Sequence, residues 1–528
     1  MPLFSRRPEP QGRYTPNLWP VWVVAPLALV SVGALAYGLY LGTEALLAST
    51  GTKPVKAQDV IKTTVTVLTL VGAVLAALYA YRKQLLDEGA SRRADASQLA
   101  ERYQRAAEQL GHDQAAVRLA GVYAMARLAD DWPEQRKVCI DVLCAYLRMP
   151  YEPDPSATGF LKGERDVRLA IIGTISSHLQ DPDSATTWCG HSLNFSGAHF
   201  DGGDFTRAKF LGGLIDFSNA TFSGSLINFS GSMYSGGTLN FNGATFSSGN
   251  VYFLNSTFSG AYVDFSEAMF SGGTVSFNGS THRSAVHFHA SSICGGQISF
   301  RHATLSNGTI CFCDSSISDG GIDFRDSTVS GGRINFADST ICGGTVHLRN
   351  VTVFDGEIDF RDSTVSGGEI DFGDSSISGG TVHLSNATIS DGLVLFSSLQ
   401  LSGGMLDFSH LTNSGGRIHF RGSRILGGQV DFRDATFFAG DVDFHRATFA
   451  GGEVTFRSMA FSGDRLDFRN SRFTGGHVDF RRARFLGGEA NFRDATLTAG
   501  PLDFTEARIH ASAAIWWGPL PVTPVNQP

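Results

Sequence analysis

From Phe205 to Phe504 an apolar residue, nearly always phenylalanine, returns every 12 positions. The series runs Phe205, Phe217, Phe229, Phe241, Phe253, Phe265, Phe277, then Phe288, Phe300, Phe312, Phe324, Phe336, Leu348, Phe360, Phe372, Leu384, Phe396 and on from Phe408 to Phe504. Only the step from Phe277 to Phe288 is one residue short. A period held this strictly leaves few folds open. It describes similar supersecondary units stacked in a row, each burying its apolar face against the next.

One unit reads Val430-Asp431-Phe432-Arg433-Asp434, then Ala435-Thr436-Phe437-Phe438-Ala439, then Gly440-Asp441: two blocks of five and an extra pair. Two positions before the central Phe the residue is β-branched or leucine almost throughout (Ile215, Ile227, Val263, Ile322, Ile358, Val442, Val478). In the second block that place is small (Ala220, Ala244, Ala303, Ser327, Ala435) and the centre is again apolar (Phe222, Phe246, Ile317, Val365, Phe449). Alternate residues of a strand share a face. Val430, Phe432, Ala435 and Phe437 therefore point inward, and the residues between them point out.

The opening of the array carries strict five-residue blocks: Leu193-Asn194-Phe195-Ser196-Gly197, Ala198-His199-Phe200-Asp201-Gly202, Gly203-Asp204-Phe205-Thr206-Arg207 and Ala208-Lys209-Phe210-Leu211-Gly212. This pattern resembles the pentapeptide-repeat family over about residues 192–510, the departure being the inserted pair, usually Gly-Gly as at Gly331-Gly332. The resemblance implies a mainly β chain folded as a four-sided, right-handed parallel β-solenoid, and a bacterial source. The family's coil has 20 residues. Two 12-residue units make a coil of about 24, with glycine supplying positive φ at two widened corners. The competing geometry, one 12-residue unit per coil, has to enclose two aromatics, a Val and an Ala in a very thin cross-section, so the 24-residue coil is favoured. It gives about 13 coils and a rod about 60 Å long at the usual strand spacing.

Ahead of the array lie two apolar runs, from Trp19 to about Leu41 without a charge, and from about Val60 to Tyr81 with only Lys62. Each is long enough to cross a bilayer, and Trp19, Trp22, Tyr79 and Tyr81 stand near the ends, where amphipathic rings favour the interface. The first run is too long for a signal peptide, and no clear cleavage site follows it. Arg6, Arg7 and Arg13 precede the first run and Arg82, Lys83, Arg92 and Arg93 follow the second, against Lys53 and Lys56 between them. The flanking charge predicts a two-span hairpin over residues 19–82 with both chain ends in the cytoplasm, that is, a multi-pass protein of a bacterial inner membrane. Residues 1–18 are then a cytoplasmic tail.

Residues 83–190 read as a helical segment. Apolar residues recur at helical spacing through Leu99, Tyr103, Ala106 and Leu110, then Val117, Leu119, Val122, Tyr123 and Leu128. Gly111 ends one helix, His112-Asp113 caps the next, Asp130–Pro133 punctuates, and a short helix spans Arg165–Leu179. This segment is suited to cover the first coil. Residues 511–528, with Trp516, Trp517 and prolines at 519, 521, 524 and 528, are suited to cover the last, since an open coil is a bare sheet edge.

The residues argue against most chemistry. Eleven units carry Asp just before the central Phe, among them Asp216, Asp264, Asp323, Asp359, Asp371, Asp407, Asp431, Asp443, Asp467, Asp479 and Asp503, which reads as a repeat position hydrogen-bonded along the ladder rather than as catalytic carboxylates. Arg301, Arg325, Arg361, Arg421, Arg433, Arg457, Arg469, Arg481 and Arg493 follow the central Phe and interleave with Asp as neutralising charge ladders. Cys311-Phe312-Cys313 and His287-Phe288-His289 each put two ligand-type groups on an outward face, but flat strands rarely converge on the four ligands a metal needs. Seven scattered cysteines (Cys139, Cys144, Cys189, Cys294, Cys311, Cys313, Cys342) do not read as a disulfide framework and fit a reducing compartment. Cys139 and Cys144 fall on an apolar helix face, and Cys294 and Cys342 are about two coils apart. No phosphate loop, dinucleotide fingerprint, nucleophile elbow or zinc spacing is present. No catalytic, cofactor-binding or metal residue is assigned, and no cofactor is expected.

The function expected is that of a membrane-anchored, non-enzymatic scaffold presenting a rigid surface to a protein partner. The net charge of −8 gives no reason to expect nucleic acid. The resemblance also implies two alternatives. One is mimicry of duplex DNA to bind a topoisomerase. Against it, 8 basic and 19 acidic side chains fall in residues 191–416, but 14 and 12 in residues 417–528. The other is a homodimer joined through the C-terminal end, where Trp516 and Trp517 lie.

Overall fold

The computed structural model describes residues 21–49 and 57–520, and the chain divides into two compact units, residues 1–100 and 101–528. In the first unit, α1 (Val21–Ser49) covers the described part of the first apolar run; Trp19 and the flanking Arg6, Arg7, Arg13, Lys53 and Lys56 lie outside the described residues. The second run does not stop before the helical segment. Both form one helix, α2 (Ala57–Leu110), because nothing between Tyr81 and Leu110 other than Gly89 interrupts good helix formers. Among the described residues one stretch, Val60–Gln84, is long and apolar enough to cross a membrane, where the sequence led us to expect two.

In the second unit Gly111 follows α2, as expected, and α3 (Ala115–Asp131), a 3₁₀ turn at Pro133–Gln135, α4 (Arg136–Leu147) and α5 (Glu164–His178) come next. The cap of α3 differs from expectation. Gln114 is the N-cap, with no side-chain cap bond. His112 instead accepts the Gln114 N–H at 3.0 Å through Nδ1, and Arg118 donates to the His112 and Asp113 carbonyls. Val122, Met125, Leu128, Cys139, Ile140, Leu143, Cys144, Ile171 and Ile175 form a buried core, with both cysteines in it.

These helices cover the first coil. Ile172 of α5 lies against Gly203, where a side chain would crowd it. Lys209 N donates to Leu179 O at 2.7 Å, extending the sheet onto the end of α5. Arg165 meets Asp201 at 3.0 Å, and Tyr151 donates to Asp201 at 2.7 Å. A bare apolar end is thereby closed.

The array itself is a parallel β-solenoid with four strands in each coil. One face is a 14-stranded sheet beginning at Leu193–Asn194 and ending at Leu502–Asp503, and the face next to it is a 13-stranded sheet from Lys209–Phe210 to Thr496–Leu497. The other two faces join as a 26-stranded sheet, because Thr412–His419 and Thr436–Asp443 run straight across their shared corner. Register settles the coil length. Ile334 pairs with Ile358 and Val430 with Val454, 24 residues apart. The first coil is tighter, with Leu193 on Ile215, 22 apart, as its stricter five-residue blocks require. The single short step is now located: Thr281 pairs with Thr257, 24 back, but Val286 pairs with Val263, 23 back, so the missing residue is in the corner after His282.

Period-12 phenylalanines alternate between two inner columns. Within a column the rings stack almost parallel, as Phe217–Phe241 at 4.9 Å and Phe241–Phe265 at 4.5 Å. Between columns they meet edge to face, as Phe312–Phe324 at 6.4 Å and 88°. Both arrangements are the favoured ones for aromatic quadrupoles. At the far end Trp517 lies 6.0 Å from Phe492 and 5.0 Å from Phe504, closing the column, and the last strand, Ala514–Trp516, still pairs with Glu489–Asn491. The prolines at 521, 524 and 528 lie outside the described residues.

Positive φ is more widespread than the glycine pairs suggested. The second glycine often has it, as Gly380 at 76°, where a Cβ would also meet Gly356 O at 2.0 Å. It recurs as well two residues after the central Phe, at non-glycine residues including Asn219, Asp314, Asp326, Asp434 and Asn470. Asn and Asp tolerate this region best, which accounts for their frequency there.

Candidate interaction surface

The outward face is built from two side chains of each first block, those on either side of the central Phe. The Asp before the Phe works differently from the ladder role expected. Its Oδ1 accepts the backbone N–H two residues on, closing its own turn: Asp431 from Arg433 at 2.9 Å, Asp479 from Arg481 at 2.8 Å and Asp216 from Ser218 at 3.0 Å. An Asx side chain is of the right length for that bond. Bonds along the ladder exist but are secondary, as from Asn240 to Asp216 at 3.0 Å.

The Arg after the Phe then folds back on the same carboxylate. Arg325–Asp323, Arg433–Asp431, Arg469–Asp467 and Arg481–Asp479 each close to 2.6 Å, and Arg361–Asp359 to 2.5 Å. Other pairs cross coils: Arg333–Asp359 and Arg421–Asp443 at 2.5 Å, and Arg465 between Asp441 and Asp467. The interleaved charges thus form the expected neutralising network. Burial pushes the Asp359 carboxyl up, and hydrogen bonds from Arg361 and Arg333 outweigh this and hold it below the ordinary range. Asp467 follows the same logic with Arg469. In these pairs the Asp is buried and the Arg remains partly exposed to solvent.

The remaining sequence candidates fall as follows. His287 and Cys311 are register partners on adjacent coils, with His289 on the coil edge 3.2 Å from Asp314. Cys311 and Cys313 form a disulfide with Cα atoms 5.4 Å apart, which corrects the reading of these two as unpaired; Cys311 ends the strand Thr309–Cys311 and Cys313 lies in the turn after it, within bridging reach. Cys294 and Cys342 are free and exposed on coils two apart. In the sequence Asp371 reads only as a repeat aspartate and is not joined with His347 and Glu369, although the ligand atoms of the three all lie within 4.8 Å of one another. Nothing local in the sequence marks them, since His347 and Asp371 come together only through the 24-residue register.

A small polar cleft by α5 is lined by Ser177, His178, Asp181, Ser184, Thr186 and Thr187. It brings Ser177 Oγ within 3.4 Å of His178 Nδ1, with Asp130 3.1 Å from Nε2. Both Ser177 Oγ and His178 Nδ1 are engaged by the Thr174 carbonyl at 2.8 Å, and the imidazole stacks on buried Trp188 at 4.2 Å. The serine is therefore tied to backbone rather than poised on the imidazole, which is a clasp for the helical cap.

A family model described as Pentapeptide repeats (9 copies) matches residues 195–239. No curated protein and no solved structure matches the chain. The match falls on the strict five-residue blocks and the first widened coils, and the same inward pattern continues in register to the end of the array. The chain carries pentapeptide repeats, and the β-solenoid that they open fits a pentapeptide-repeat protein.

Proposed function

We propose that this protein is a membrane-anchored scaffold whose solenoid binds a protein partner on the cytoplasmic side. The observation that carries the reading is the Arg–Asp network of residues 301–481, which holds a charged surface in one conformation on a stiff frame. Side chains already ordered lose little entropy on binding, so such a surface favours a specific macromolecular partner. Pairing of every second charge in residues 417–503 also favours a protein partner over topoisomerase binding by an acidic DNA-like face.

Anchoring is supported by Val60–Gln84 and by exposed apolar side chains on both helices, among them Leu27, Val30, Leu35, Leu46, Ile61, Leu70 and Leu78. A continuous exposed apolar sleeve needs a cover, and lipid supplies it. A two-span hairpin with both ends inside is the arrangement proposed.

The test is affinity capture from solubilised membranes with the tagged chain, with and without residues 192–510. Partners captured by the full chain and lost with the array are the expected result. The same set captured by both forms contradicts a binding role for the solenoid.

A further inference from the structure

Seven aspartates of the array are buried at the position before the central Phe or Leu: Asp323, Asp359, Asp371, Asp431, Asp443, Asp467 and Asp479. Six have a guanidinium at 2.5–2.6 Å. Asp371 is the exception: among the described residues no Arg or Lys pairs with it. The reason is sequence. Gly373 stands after Phe372, where Arg stands in five of the six clamped coils. The guanidiniums nearest in the column are engaged elsewhere, Arg325 with Asp323 and Arg349 with Asp374, each at 2.6 Å.

What faces Asp371 instead is a second carboxylate and an imidazole. Glu369 is two residues earlier on the same strand, on the same outward face. His347 is the register partner of Asp371 on the preceding coil. Asp371 is 8% exposed, and its Oδ1 is fixed by the Gly373 N–H at 2.8 Å, leaving Oδ2 without a hydrogen bond among the described residues. The side chains of His347 and Glu369 make no hydrogen bond or ion pair among the described residues either. A buried carboxylate next to a second one, with no cation paired to it, is costly. One imidazole nitrogen and two carboxylate oxygens within 4.8 Å are the donor set of a borderline transition-metal ion. Such an ion at about 2.0–2.2 Å from each ligand needs only small side-chain rotations to draw them in.

We propose that His347, Glu369 and Asp371 bind one divalent first-row transition-metal ion, zinc being the type, on the outer face of the solenoid. The ion takes the place that a guanidinium holds at the other six buried aspartates. Three protein ligands leave a position open to water or to a donor group of a bound partner. The positive charge of Arg325 and Arg349 nearby sets a moderate affinity.

The test is equilibrium dialysis of the full-length protein in detergent against zinc chloride, with bound metal read by elemental analysis. His347→Asn and Glu369→Gln change half-buried side chains that hold no hydrogen bond or ion pair among the described residues, so both variants should fold. Each is expected to weaken binding of one zinc equivalent at least tenfold, and to abolish the rise in melting temperature that zinc gives the parent. His302→Asn, in a turn away from the cluster, should bind as the parent does. Zinc binding equal to the parent in both His347→Asn and Glu369→Gln overturns the proposal, as does a parent that binds no zinc beyond that of the double variant.

Discussion

The solenoid should lose stability steeply as pH falls from 7.5 to 4.5, and His282→Phe should remove a large share of that loss. His282 takes a place in an inner column whose neighbours are Phe258 and Leu305, its ring stacked on Phe258 at 4.9 Å. It is wholly buried, and burial pushes its pKa down to about 3. Ser280 Oγ donates to the Phe277 carbonyl, so the 2.7 Å contact to Nε2 is made with the imidazole as donor, and Nδ1 has no partner. The native ring is therefore neutral. In the unfolded chain a histidine protonates below about 6.5. The unfolded state binds a proton that the native state refuses, so the full stability is present above pH 6.5 and is lost as pH falls toward 3. At pH 4.5, two pK units below 6.5, the loss from this residue is about 2–3 kcal/mol. Thermal melts of parent and His282→Phe from pH 7.5 to 4.5 check this. The variant should melt higher, with a gap that widens as pH falls; parallel profiles would show that the ring does not stay neutral in the core.

A comparable effect is expected from Phe312→Ala. Phe312 is fully buried, stacked between Phe288 at 4.5 Å and Phe336 at 5.0 Å, and meets Phe300 and Phe324 edge to face at 6.4 Å. Its removal leaves a cavity that the frame cannot close, because the backbones above and below are pinned by ladder bonds. The cost should be about 3–5 kcal/mol. In a linear array each coil is supported only by its neighbours. The loss should then appear in guanidinium melts as a second transition, with the halves before and after the cavity uncoupled. Phe438→Ala, at a ring 61% exposed, should leave the curve within about 0.5 kcal/mol of the parent. Equal shifts from the two variants would deny the inner columns their role.

Much of this architecture is legible in the chain because the period is long and the inward residues are aromatic. Phe205 to Phe504 mark the columns, and the bulk of Val430, Phe432 and Phe437 favours a 24-residue coil over a 12-residue one. The Arg and Asp interleaving is equally plain. Three features were not legible, each for a physical reason. The turn closed by Asp431 on its own Arg433 N–H is a matter of side-chain length, and it looks the same in sequence as a ladder bond. The continuity of α2 past Tyr81 was hidden because apolarity ends where helix propensity does not. The convergence of His347 on Glu369 and Asp371 depends on one register value, and it became a site only because Gly373 removes the arginine that elsewhere fills that position.

The most direct test of the account is the coil itself. Thr340 and Thr364 are register partners 24 residues apart, whereas Thr352, midway between them, belongs to a different sheet on the 13-stranded face. Spin labels on Thr340→Cys with Thr364→Cys, and on Thr340→Cys with Thr352→Cys, compare the two coil lengths in a background where exposed Cys294 and Cys342 are serine. The account predicts strong dipolar broadening for the 340–364 pair, at about one strand spacing, and far weaker broadening for 340–352. Stronger coupling in the 340–352 pair would mean a 12-residue coil and would contradict the four-sided solenoid.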